Sequence, residues 1–137
     1  MVKLFKIETQ KSPAEIITLI RNNAKKFDFI IRNVFDMSKE FSHHNIDVEP
    51  SFKYYSVMIC NPDKAYKSIN ANKLRGAILL PPKQIVIFID NSTNSTVIAY
   101  MVFDKTTIQE LLPEDLKFQE GLESSCNKIM ELIKAVV

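Results

Sequence analysis

The stretch from Tyr54 to Tyr66 constrains the fold more than any other part of the chain. Tyr55, Val57 and Ile59 alternate with Tyr54, Ser56 and Met58, and the run then breaks at Cys60-Asn61-Pro62-Asp63. Strict alternation places one face of a strand against a core. Asparagine followed by proline suits the start of a helix, because the amide side chain caps free N–H groups and proline fits the first helical position. A strand therefore runs straight into a helix, with a thiol at the corner.

The rest of the chain extends this alternation of elements. Lys3 to Glu8 alternates and predicts a first strand, and Ser12-Pro13-Ala14-Glu15 opens a helix in the manner of a capping box. Ile16, Ile20, Ala24 and Phe27, with Ile17 beside them, recur at helical spacing and predict an amphipathic helix lying on a sheet. Phe29 to Phe35 reads as the second strand, and Asp36 or Ser38 as the cap of a short helix through Phe41. His43 to Pro50 is a polar loop, and Phe52 to Ile59 is the third strand. The helix opened by Asn61-Pro62-Asp63 ends near Asn70-Ala71-Asn72.

Gly76 then releases the chain into an apolar strand segment, Ala77 to Leu80, and the Pro81-Pro82 pair marks a bend, an edge or a strand break. Gln84 to Ile89 reads as a buried strand, Asn91 to Ser95 as a hairpin loop, and Thr96 to Phe103 as the returning strand. Thr106 or Thr107 caps a short turn up to Leu112. Pro113-Glu114-Asp115 begins the last and longest helix, with acids in its first turn to suit the helix dipole. Its inward stripe is Leu122, Cys126, Ile129, Met130, Ile133 and Val136. The order predicts an α+β fold: a curved, mostly antiparallel sheet, two main helices packed on one face, and a long C-terminal helix. No linker, repeat or low-complexity stretch divides residues 1–137, which form a single domain.

Composition narrows the function classes. Two glycines, Gly76 and Gly121, exclude both a P-loop and a dinucleotide-binding fingerprint. No apolar run reaches the roughly 18 residues that a membrane span needs, and Met1 to Lys6 lacks the apolar core of a signal peptide. The expected location is the cytoplasm, with no membrane association. The sequons at Asn91 and Asn94 read as a polar loop. Net charge is +2, too small to argue for nucleic acid, and no nucleic-acid partner is expected. Residues 1–83 hold 14 basic against 8 acidic residues and residues 84–137 hold 4 against 8, an asymmetry compatible with self-association and equally with ordinary solvated faces.

The chemistry-bearing residues are few. Cys60, ahead of a helix start, sits where free N–H groups and a helix dipole can activate a thiol; a small residue buried at a corner has the same address. Asn61 and Pro62 are explained by capping. Cys126 lies in the core stripe of the last helix. His43 and His44 are adjacent on a loop beside Asp36, Glu40, Asp47 and Glu49. They could serve acid–base chemistry, or join Cys60 around a metal, but no ligand spacing supports a metal site. Tyr54, Tyr66 and Tyr100 are candidates to line a pocket with Cys60 and Asn61. Lys64, Lys67, Lys73 and Arg75 cluster near the middle helix without the aromatic interleaving of an RNA-binding sheet.

Ser56 to Tyr66, followed by Gly76 to Pro81 and the strand Gln84 to Ile89, resembles the domain of unknown function 302 family. Members share a strand ending in Cys-Asn-Pro or Gly-Asn-Pro, an alanine-containing helix, a Leu-Pro-Cys-like segment and a buried strand. A last strand ending near Asp-Pro corresponds here to Ala99 to Lys105. Pro82 stands where many members have cysteine and Lys105 where they often have proline, so a role that needs two cysteines is not carried over. The resemblance implies a TATA-binding-protein-like α+β fold and a homodimer, and no established activity or cofactor.

Three functions are compatible with these residues. The first is a non-enzymatic domain binding a small ligand or a protein partner in a groove between sheet and helix. The second is a thiol or metal/redox site at Cys60. The third is a hydrolase or isomerase built on the His43 and His44 loop. The first is the expectation carried forward.

Overall fold

The computed structural model describes residues 2–80 and 83–137. Five strands form one sheet: β1 (Val2–Thr9), β2 (Ile30–Asp36), β3 (Tyr54–Cys60), β4 (Lys83–Asp90) and β5 (Ser95–Phe103). Their spatial order is β1-β5-β4-β3-β2, and every neighbouring pair is antiparallel. The helices are α1 (Pro13–Asn23), α2 (Met37–His43), α3 (Pro62–Ala71), α4 (Gly76–Leu79), α5 (Lys105–Leu111) and α6 (Leu116–Val136). Single 3-10 turns lie at Ala24–Phe27 and Lys73–Arg75.

Consecutive strands β2 to β5 pair in series, while β1 closes the far edge against β5. The chain must therefore cross the whole sheet between β1 and β2, and α1 makes that crossing. Its entry is as the residues dictate: the Ser12 side chain accepts a hydrogen bond from the Glu15 N–H at 3.2 Å, and Pro13 takes the first turn. Ile16 and Ile20 then reach the core with no exposure at all. They meet Val57 and Ile59 of β3, Ile85 and Ile87 of β4, and Ile98 and Tyr100 of β5. Helix α6 covers the same face with Ile129, Leu132, Ile133 and Val136. Lys11 donates to the carbonyl of Val136 at 3.2 Å, satisfying an acceptor at the end of α6. The face opposite α1 and α6 carries a row of aromatic rings. Phe52 stacks on Tyr54 and Tyr54 on Phe88, with centroids 5.7 and 5.2 Å apart.

Three sequence expectations are corrected. Residues 77–80 do not form a strand. Gly76 itself has helical angles, φ −60° and ψ −33°, and the Leu80 N–H bonds the Gly76 carbonyl at 2.9 Å, closing one helical turn. A four-residue apolar run carries too little periodicity to separate the two conformations. The cap of α5 is Asp104, whose carboxylate accepts from the Thr107 N–H at 2.8 Å, so Thr106 and Thr107 lie inside the helix. The core stripe of α6 gains Leu132 and Phe118, both buried, while Met130 sits at its margin. The bend expected at Pro81-Pro82 lies outside the described residues. Asp36 and Asn61 cap α2 and α3 as expected.

Candidate functional site

A cavity of about 410 Å³ lies where β3 ends and β4 begins, beneath α3 and α6. The strand-to-helix corner makes one wall, through Ile59, Cys60 and Asn61. The Asn61 carboxamide accepts from the Lys64 N–H at 3.1 Å and so caps the first turn of α3 at the cavity wall. Phe27 and Phe29 form a second wall, and Phe118 and Leu122 of α6 form a third. The wall is largely apolar, with charged side chains drawn around it.

Arg75 and Asp115 hold the gap at one end. The Arg75 guanidinium donates twice to the Asp115 carboxylate, from Nε at 2.7 Å and from Nη2 at 2.8 Å. Its remaining Nη1 donates to the Ser68 carbonyl at 3.1 Å, and its Cζ lies over the Phe118 ring, 5.7 Å from the centroid. Asp115 also accepts from the Asn72 side chain at 3.1 Å and from the Phe118 N–H at 3.1 Å, so it caps α6 while binding Arg75. This one carboxylate ties α3, the following 3-10 turn and α6 together. The Arg75 guanidinium holds its carboxyl far below the usual carboxylate range; partial burial opposes this and loses. Across the cavity, Lys128 of α6 bonds Asp28 at 2.7 Å, and that contact lowers the Asp28 carboxyl in turn.

Lys83 is the odd member of the wall. It stands opposite Ile59 in the β3–β4 register and continues the inward series of Ile85 and Ile87. A lysine therefore occupies a position on the helix-covered face where the pattern calls for an apolar side chain. Its amine makes no hydrogen bond or salt bridge to any described residue. Burial pushes the Lys83 ammonium below its ordinary range, and the Cys126 and Cys60 thiols would favour the cation only when ionised. Partly withdrawing an ammonium from water without a partner disfavours its charged form.

The structure brings Cys60 and Asn61 to the cavity wall and leaves the three tyrosines off it. Tyr54 belongs to the aromatic stack on the opposite face. Tyr66 points outward from α3 with 69% exposure. Tyr100 is buried in the core, where its hydroxyl donates to the Cys126 sulfur at 3.5 Å and burial raises its pKa. His43 and His44 are exposed at the end of α2 and do not line the cavity, so the acid–base arrangement considered for them does not assemble there. Among the described residues no three His, Cys, Asp or Glu side chains gather closely enough to hold a metal ion. Cys60 is half-buried and free.

The family model described as "Domain of unknown function DUF302" matches residues 5–137. The chain belongs to the DUF302 family. A solved structure of an uncharacterized conserved DUF302 protein from Bacillus stearothermophilus is similar over 97% of this chain and 94% of that one. The TM-score is 0.67 at 19% identity, which supports the fold and carries no site residue across. Comparison with curated proteins finds no match. No helix among the described residues is long and apolar enough to cross a membrane.

Proposed function

We propose that this DUF302 domain is a small-ligand binding module and that its ligand occupies the cavity between the β3–α3 corner and α6. The observation that carries the reading is a concave, mainly apolar wall with a few convergent polar groups, the usual make-up of a small-molecule site. Its size, about 410 Å³, falls in the range of such sites, roughly 300 to 1,000 Å³. The walls are braced by contacts already made within the chain, the Arg75–Asp115 pair and the Lys128–Asp28 pair. A gap propped in this way is present before a ligand arrives, which lowers the cost of ordering on binding.

The test uses the neutral fluorophore N-phenyl-1-naphthylamine. Saturable one-to-one binding to the purified protein is expected, with at least a tenfold loss in Gly121→Trp. Gly121 lines the cavity, and a Cβ there meets nothing within 4 Å, so the new ring enters without a clash at its base. No saturable binding, or unchanged binding in a folded Gly121→Trp protein, contradicts the reading.

A further inference from the structure

We propose that the ligand is an amphiphilic monoanion, an acid group on an apolar body, with the acid paired to Lys83 and the body against Phe118 and Leu122. This rests on the cavity being a ligand site and adds the chemical class of its occupant. Three observations combine. Lys83 is held on the inward face of β4, opposite Ile59, and has no acidic partner among the described residues. Seven side chains of the cavity wall are lysine or arginine, and one, Asp28, is acidic.

Pairing accounts for three of the seven. Lys128 is matched to Asp28, Arg75 to Asp115 and Lys67 to Asp63, which leaves Arg32, Lys64, Lys83 and Lys117 without a salt bridge to a described residue. Arg32, Lys64 and Lys117 are exposed and lie at the rim, where they draw an anion in from solution. Lys83 alone among the four is partly withdrawn from water, so its charge is the one that a bound acid would stabilise most. Apart from the side chains of Asn61, Ser68 and Ser125, the remaining wall is mainly apolar, with Phe27, Phe29, Ile59, Leu79, Phe118 and Leu122, and suits an alkyl or ring body. A neutral apolar ligand would leave the Lys83 amine unanswered. A small inorganic anion would leave the apolar wall empty.

Octanoate and octan-1-ol share a tail and differ in charge. Calorimetric titration of the intact chain at neutral pH with each compound, on the native protein and on Lys83→Met, separates the two contributions. Octanoate is expected to bind the native protein at least tenfold tighter than octanol. In Lys83→Met the preference is expected to vanish through loss of octanoate affinity, with octanol retained or improved. Octanol binding reports that the variant still folds around its cavity. If both compounds bind the native protein equally, or Lys83→Met keeps the preference for octanoate, the anion assignment is overturned while the cavity stands as a ligand site. If neither octanoate, octanol nor N-phenyl-1-naphthylamine binds, the ligand-site reading falls with it.

Discussion

Asp115 shows how a single residue joins stability to the geometry of the site. Its carboxylate accepts four hydrogen bonds, two from Arg75, one from Asn72 and one from the Phe118 N–H. Its folded pKa is depressed, chiefly by Arg75. In the unfolded chain an aspartate titrates near 3.9, so on acidification the unfolded state takes up the proton first. The stabilisation is therefore complete above about pH 4 and is lost as pH falls toward the folded value. Urea midpoints measured from pH 7 down to pH 2 should fall on that limb. Asp115→Asn should start from a lower midpoint at pH 7 and show a shallower fall. An acid limb as steep in Asp115→Asn as in the native protein would assign the acid sensitivity to other groups. Lys83 shows the opposite balance, a partly buried amine with no salt bridge to a described residue, its pKa lowered chiefly by burial.

At the scale of elements, the five strands of the sheet and the caps of α1, α2 and α3 were legible because their signals are local. The alternation of Tyr55, Val57 and Ile59 gives a face, and Ser12, Asp36 and Asn61 each accept from an N–H two or three residues on. The helical turn at Gly76–Leu79 was not legible, since four apolar residues fit either conformation. Lys83 escaped notice next to the proline pair, although the inward series 83, 85, 87 would have shown a charge on the buried face. The Arg75–Asp115 pair spans 40 residues, and no local pattern announces it. Helix α6 supplies the prediction at this scale. Gly121 lies inside it at an exposed position facing open space, and glycine costs about 1 kcal/mol in a helix relative to alanine. Gly121→Leu should stabilise the fold by roughly 0.5 to 1 kcal/mol in urea denaturation, and it should narrow the cavity mouth and weaken N-phenyl-1-naphthylamine binding. A less stable Gly121→Leu protein would mean that the space above Gly121 is filled.

The whole molecule divides into a sealed half and an open half. Around Ile16, Ile20, Ile98 and Ile129 the sheet, α1 and α6 meet in a core with no exposed side chain. Toward the β3–α3 corner the helices part, and the cavity takes the place of that packing. Family membership and the α+β fold could be read from the chain because they rest on strand alternation, caps and the Cys60-Asn61-Pro62 corner. The site was legible only at that corner. Its other walls come from Phe27, Lys83, Phe118 and Leu122, brought together by folding. The most direct test of the account is amide and methyl chemical-shift mapping of the isotope-labelled protein titrated with octanoate. The account predicts the largest shifts at Ile59, Cys60, Lys83, Phe118 and Leu122, around one site. Shifts clustered on Tyr54 and Phe88 of the opposite face, or no shifts at saturating octanoate, would contradict it.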